Sequence, residues 1–267
     1  MASPIRKILD LPNDSIKKTL FVALALCLVC SILVSAAAVM LKPLQDQNKA
    51  LDKKKNILEI AGLMQEGKSI DELFSQIEPR IIDMTTGEYV TDVDVATYDQ
   101  RKAANDPAQN IVLKAEDDIA GIKRRAKYTS VYLVKDGEKV KSIILPVHGY
   151  GLWSTLYGFL ALESDAKTVV GLGFYEHAET PGLGGEVDNP GWRKKWVGKQ
   201  VYNEAGDVVI RVIKGHVDSS TPNAESKVDG LSGATLTSRG VDNMLHYWLG
   251  KQGYTKYLNN IRKEGAM

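Results

Sequence analysis

From Thr19 to Leu41 the chain carries no charged residue and is almost wholly apolar. A helix rises about 1.5 Å per residue, so such a run crosses the ~30 Å hydrocarbon core of a bilayer. Backbone groups must be satisfied internally there, which makes this stretch a helix and leaves the rest to fold outside the lipid. A cleaved secretory signal is the competing reading, because Ser35-Ala-Ala-Ala38 has the small residues of a cleavage site. Signal segments have apolar cores of only about 7–15 residues. The run before Ser35 is already about sixteen residues long, and Val39-Met-Leu41 extends it. An uncleaved single-pass anchor over 19–41 is expected. Arg6, Lys7, Lys17 and Lys18 precede it, and only Lys42 follows directly, with Asp46 soon after. The excess of positive charge marks 1–18 as cytoplasmic. The large domain then lies on the opposite side of the membrane, although Lys49 and Lys53-Lys-Lys55 pull against that orientation.

The remainder is long enough for one globular domain. Hydrophobic residues make up 44% of the 267, which supports a core. A net charge of +1 lacks the basic excess of a nucleic-acid binder. Both cysteines, Cys27 and Cys30, fall inside the apolar run, so the domain has no disulfide framework. Leu26, Leu28, Val29 and Ile32 flank them. That setting suits inert apolar thiols, since desolvation disfavours the thiolate. A ligand role shared with a partner protein is the alternative.

Residues 42–129 read as a membrane-proximal helical and mixed region. Leu51, Ile57, Leu58, Ile60, Ala61 and Met64 recur at helical spacing over 48–64. A short helix is predicted over 70–77, with Ser69 as N-cap. Residues 130–267 read as the main domain. Val131–Val134 and Val140–Leu145 flank Asp136-Gly137, a strong hairpin signal. Further strands are predicted at 157–162, 169–175 and 208–214. A helix is predicted from Gly240 or Val241 to Tyr247 or beyond, with Val241, Met244, Leu245 and Trp248 on one side. Strands grouped together, with helices at the ends, indicate an α+β domain built on an antiparallel sheet.

Chemistry concentrates just before that last helix, in Asp229-Gly-Leu-Ser-Gly-Ala-Thr-Leu-Thr-Ser238. Glycines let a backbone approach an anion closely, and a helix start offers free N–H groups and the positive end of the dipole. Serine and threonine are also preferred N-caps. The run is therefore either a phosphate site or a capped turn with no ligand. Other phosphate signatures are missing: there is no P-loop, and Gly171-Leu-Gly173 does not extend to a dinucleotide fingerprint. His148, His177, His216 and His246 lack metal-ligand spacing, so no metal site is expected.

The run resembles the flavinylation motif of the FMN-binding domains found in Na+-translocating NADH:quinone reductases (Nqr) and in the Rnf complex. Asn13-Asp-Ser-Ile-Lys-Lys-Thr19, Leu51-Asp-Lys-Lys-Lys-Asn-Ile-Leu58, His148-Gly-Tyr-Gly-Leu-Trp153 and Glu176-His-Ala-Glu-Thr-Pro-Gly-Leu-Gly184 resemble the NqrC family of the quinone reductases. The likeness covers essentially the whole chain. It implies FMN joined through its phosphate to Thr235 by a dedicated flavin transferase. It also implies other subunits of a membrane respiratory complex as partners, and electron relay from NADH toward ubiquinone coupled to Na+ export.

The resemblance makes Ser232, Gly233, Ala234, Leu236 and Thr237 cofactor neighbours of Thr235. It places the loop holding His177, Glu179, Thr180, Leu183 and Gly184 beside the flavin, with His177 in a hydrogen-bonding role. Tyr150 and Trp153 either pack on the flavin or serve a structural loop. Lys214 either meets the flavin or its phosphate, or is solvated. No residue of this chain is expected to be catalytic in its own right. The rival readings are the matching Rnf protein, a membrane-anchored hydrolase using Ser232 or Thr235, and a non-catalytic assembly module. The long insertion from Asn48 to about Thr129 favours the quinone reductase over Rnf.

Overall fold

The computed structural model describes residues 10–264. Arg6 and Lys7, which enter the orientation argument, lie outside the described residues. The chain divides into two compact units, Met1–Leu51 and Asp52–Met267. Helix α1 runs over Ile16–Ile60. Among the described residues it is the one helix long and apolar enough to cross a membrane. Cys27 and Cys30 are free and exposed on it.

The second unit is built on a six-stranded antiparallel sheet in the order β2-β1-β5-β6-β7-β8. Its strands are β1 (Ile77–Asp83), β2 (Tyr89–Val90), β5 (Tyr128–Asp136), β6 (Lys139–Tyr150), β7 (Thr155–Glu163) and β8 (Val169–Glu176). Asp136 pairs with Lys139 across Gly137-Glu138. Gly137 has φ of 63°, the backbone that a two-residue II′ hairpin requires of its first central residue. The segment read as membrane-proximal, 42–129, gives β1 and β2 to this same sheet, so the sheet extends well before residue 130. Pro79 sits within β1, opposite Tyr132, and the two-residue β2 pairs only with Ile81 and Ile82. Pro79 therefore lies where β1 is an edge and no N–H is needed on its outer side.

The middle strands are apolar without interruption because both faces of the sheet are covered. Val131, Leu133, Ile143, Leu145, Leu160 and Leu162 point into one core with Val241, Met244, Leu245 and Trp248. Tyr132, Val134, Ile144, Phe159 and Ala161 point into the other with Ile57, Leu58 and Ile60, the end of α1. Helix α2 (Ile70–Phe74) adds Leu73 there, and Ser69 accepts from Glu72 N–H at 3.2 Å as its cap. This helix stops before the predicted residue 77 because Ile77 is already paired with Val134 in β1. Gly171 and Gly173 admit the end of α1 to the sheet. A Cβ on Gly171 would fall 2.5 Å from Ile60 O, and one on Gly173 would fall 3.0 Å from the Ile60 side chain. These two glycines thus serve helix–sheet contact. Trimming Ile57 to valine is expected to cost about 1 kcal/mol, read as a lower urea midpoint in tryptophan fluorescence.

Smaller elements complete the unit. Helix α3 (Gln100–Asn105) lies between β2 and the antiparallel pair β3 (Asn110–Val112) and β4 (Arg124–Ala126) in the chain. Helix α4 (Pro190–Lys194) starts on Asn189, whose side chain accepts from Gly191 N–H at 2.8 Å. The strand predicted at 208–214 is only β9 (Arg211–Ile213), paired in parallel with β10 (Lys227–Asp229). Val208 makes a single bridge to Tyr202. Helix α5 (Thr235–Leu249) begins earlier than its apolar periodicity indicates, and α6 (Thr255–Glu264) follows. The start of β8 is covered on its outer edge: Val169 donates to Lys199 O and accepts from Gly198 N–H, both at 2.8 Å.

Candidate FMN-binding site

Parallel pairing of β9 with β10 delivers the chain to the start of α5. Asp229, the last residue of β10, is buried and accepts from His216 Nδ1 at 2.8 Å, Lys195 Nζ at 2.5 Å and Val217 N–H at 2.9 Å. Burial opposes its ionisation, but the Lys195 and His216 side chains and the Val217 N–H outweigh it and bring the carboxyl down to about 2. Its own carbonyl accepts from Trp192 Nε1 at 2.8 Å. Gly230 then passes close to the end of β9, where a Cβ would meet Ile213 O at 2.5 Å. Lys214 is exposed beside this crossing.

Ser232 and Gly233 form an exposed turn, with Gly233 in the left-handed region at φ 72°. Ala234 is buried and occupies the N-cap position, where it offers no side-chain acceptor. The first-turn N–H groups of α5 are thus left without a side-chain cap, in contrast with Ser69 and Asn189 at their helices. Thr235 is the first residue of the helix and its side chain is exposed. Thr237 and Ser238 of the same turn are buried. Ser238 accepts from Leu231 N–H at 2.9 Å, which closes the loop on itself. Of the hydroxyls in this run, Ser232 and Thr235 are therefore free of the packing that engages Thr237 and Ser238, and Thr235 is the one that begins the helix.

Three segments meet at this helix start through Glu179. Its side chain, 5% exposed, lies after β8. One carboxylate oxygen accepts from the N–H groups of Leu152, Trp153 and Ser154 at 2.9–3.2 Å, in the β6–β7 turn. The other accepts from the Thr237 hydroxyl at 2.7 Å. Gly151 and Gly184 have no room for a side chain here, since their Cβ atoms would fall 2.6 and 2.7 Å from the two Glu179 oxygens. His177 Nδ1 accepts from Glu179 N–H at 3.2 Å, which leaves Nε2 to donate to Asp188 at 2.7 Å. Gly240 in α5 lies against the Tyr150 carbonyl, and Gly233 against Leu183.

The predicted residues thus divide by environment. Glu179, Thr237 and Gly184 form the buried junction, and His177 braces it. Thr180 is exposed, and its carbonyl accepts from Leu183 and Gly185 N–H. Tyr150, Trp153, Leu183 and Leu236 are large apolar side chains left between 44% and 65% exposed on the joined segments. Leu152 is a further member of this rim that sequence reasoning did not single out. Gly151 and Gly240 are needed here for close packing, Gly151 against Glu179 and Gly240 against the Tyr150 backbone. An uncapped helix start beside exposed apolar and aromatic surface fits a ligand with a phosphate at one end and a flat ring at the other. Among the described residues no histidine is hydrogen-bonded to a serine or threonine hydroxyl, as a hydrolytic nucleophile would need.

Comparison with known proteins gives the family. The FMN-binding domain family matches residues 151–250, from the β6–β7 turn to the end of α5. The chain is 54% identical to the NqrC subunit of the Na(+)-translocating NADH-quinone reductase of Pseudomonas aeruginosa, over 95% of this chain and 99% of that one. It is also 54% identical to the same subunit from Vibrio vulnificus, over 95% and 98%. The crystal structure of Shewanella oneidensis NqrC superposes with a TM-score of 0.75 at 34% identity, over 81% of this chain and 99% of that one. A TM-score of 0.60 relates it to the matching protein from Parabacteroides distasonis, at 28% identity, over 82% and 96%. The chain belongs to the NqrC family of the Na+-translocating NADH-quinone reductases, with an FMN-binding domain behind a single apolar N-terminal helix.

Proposed function

We propose that this chain carries FMN esterified through its phosphate to the Thr235 hydroxyl and serves electron transfer from NADH toward quinone within a multi-subunit Na+-pumping complex. The observation that carries the reading is the exposed Thr235 at an uncapped helix start, joined through Glu179 to the segment that bears the exposed Tyr150 and Trp153. When bound, FMN supplies the one- and two-electron redox chemistry that the side chains lack. The chain's own contribution is to hold it. The first turn of α5 stabilises the phosphate charge by about 0.3–1 kcal/mol. Tyr150, Trp153, Leu183 and Leu236 offer the ring an apolar seat, and the ester keeps the cofactor from leaving. Lys214 adds positive charge beside the Gly230 crossing. A flavin transferase makes the ester, and the positive-inside balance puts the domain on the periplasmic side. The sequence has no nicotinamide fingerprint, and among the described residues one helix is fit to span a membrane, so NADH oxidation and the ion path are assigned to partner subunits. The near full-length identity to quinone-reductase proteins favours this complex over Rnf.

The test is to co-express the full chain with a flavin transferase, denature it, and view the gel under ultraviolet light. The wild-type band is expected to fluoresce, and Thr235→Ala is expected to abolish the signal without changing the amount of protein. A dark wild-type band rejects the covalent reading. A fluorescent Thr235→Ala band moves the ester to another hydroxyl.

A further inference from the structure

We propose that Glu179 is the positioning residue of the cofactor site and that its buried negative charge holds down the electron affinity of the flavin; this rests on the reading of the site given above. Its two oxygens collect four hydrogen bonds from two elements distant in sequence, the β6–β7 turn and the first turn of α5. Gly151 and Gly184 are shaped around those oxygens. One side chain therefore fixes the turn that bears Tyr150, Leu152 and Trp153 against the helix that bears Thr235. Among the described residues Glu179 has no ion-pair partner, so its charge is met by three peptide N–H groups and a hydroxyl.

Those donors keep it ionised. Burial opposes the charge, but the Thr237 hydroxyl and the N–H groups of Trp153, Leu152 and Ser154 more than offset it, and the carboxyl lies below the usual range. A fixed anion in a low-dielectric setting repels added negative charge far more than it would in water. Thr237, which holds it, stands two residues from Thr235 in the same helical turn. Electrons reaching a ring anchored there meet that repulsion.

Three variants of the full chain separate the two roles. Glu179→Gln keeps the shape. Its amide oxygen accepts from the three N–H groups, and its NH2 donates to Thr237 with the hydroxyl turned. The flavin is expected to load, and its midpoint potential, measured by spectroelectrochemical titration, is expected to shift upward. Amide exchange at Leu152–Ser154 is expected to stay slow. Thr237→Val keeps the charge and removes one tie. It is expected to speed that exchange without an upward shift. Glu179→Ala is expected to speed the exchange about tenfold or more, because three N–H groups lose their shared acceptor. An unchanged potential in Glu179→Gln, or an equal rise in Thr237→Val, overturns the charge role. Slow exchange in Glu179→Ala overturns the positioning role. A wild-type chain without covalent flavin would instead reject the Thr235 reading, while the exchange measurements still decide the positioning role.

Discussion

A valine at position 240 is expected to unseat the start of α5 and cost about 3 kcal/mol. Glycine in an exposed helix is ordinarily a weakness, and alanine there gains about 1 kcal/mol. Gly240 reverses the sign. Its absent Cβ would fall 2.5 Å from the Tyr150 carbonyl oxygen and 3.0 Å from the Gly151 Cα. Both obstacles are backbone and cannot turn aside as a side chain could. Tyr150 is also pinned, since its N–H donates to Ala120 O at 2.7 Å. The helix must therefore lift, and overpacking of this kind costs about 1–3 kcal/mol, with a β-branched residue at the upper end. Alanine is expected to destabilise as well, by less. Urea unfolding of the full chain in detergent, followed by near-ultraviolet circular dichroism, reads both effects. An alanine variant more stable than wild type would show that the contact yields freely. Flavin loading is expected to fall with stability, because the displaced segments are those joined by Glu179.

Acid is expected to loosen the site from its other side, through Asp229. Its folded carboxyl lies at about 2, against an ordinary value near 3.8. A depressed carboxyl adds stability that is fully present above its unfolded value and is lost as pH falls through the folded one. The difference corresponds to about 2 kcal/mol by linkage. Lys195 and His216 are both open to solvent, and screening brings this to about 1–2 kcal/mol. Asp229→Asn is expected to lower stability by that amount at pH 7. The gap to wild type should close as pH falls from about 4 toward 2. Paired urea titrations at several pH values check this, and a gap independent of pH would mean that Asp229 acts by shape alone.

Periodicity revealed what depends on neighbours in sequence. The apolar run, the hairpin at Asp136-Gly137 and the buried face of Val241, Met244, Leu245 and Trp248 follow from local spacing. Pairing at long range left no such mark. Strand β1 joins β5 across more than forty intervening residues, and its Pro79 argues locally against a strand. The short parallel pair β9–β10 has too few residues to show a period. The helix start was obscured because Thr235-Leu-Thr-Ser238 mixes exposed and buried hydroxyls, which polarity alone does not separate. Resemblance was enough to place Glu179 among the neighbours of the site. Its four bonds depend on two distant segments meeting, and no spacing within 176–184 encodes that.

The ends of the sheet have a bearing on crowding. An anchored domain meets its neighbours in two dimensions, at high local concentration and in few orientations. An open strand edge would there be a template for lateral growth. Part of each edge is covered in this sheet. At one end β2 is two residues long, and at the other Val169 of β8 is already bonded to Gly198 and Lys199. Where those two covers lie, a neighbouring copy can add no strand and meets side chains instead.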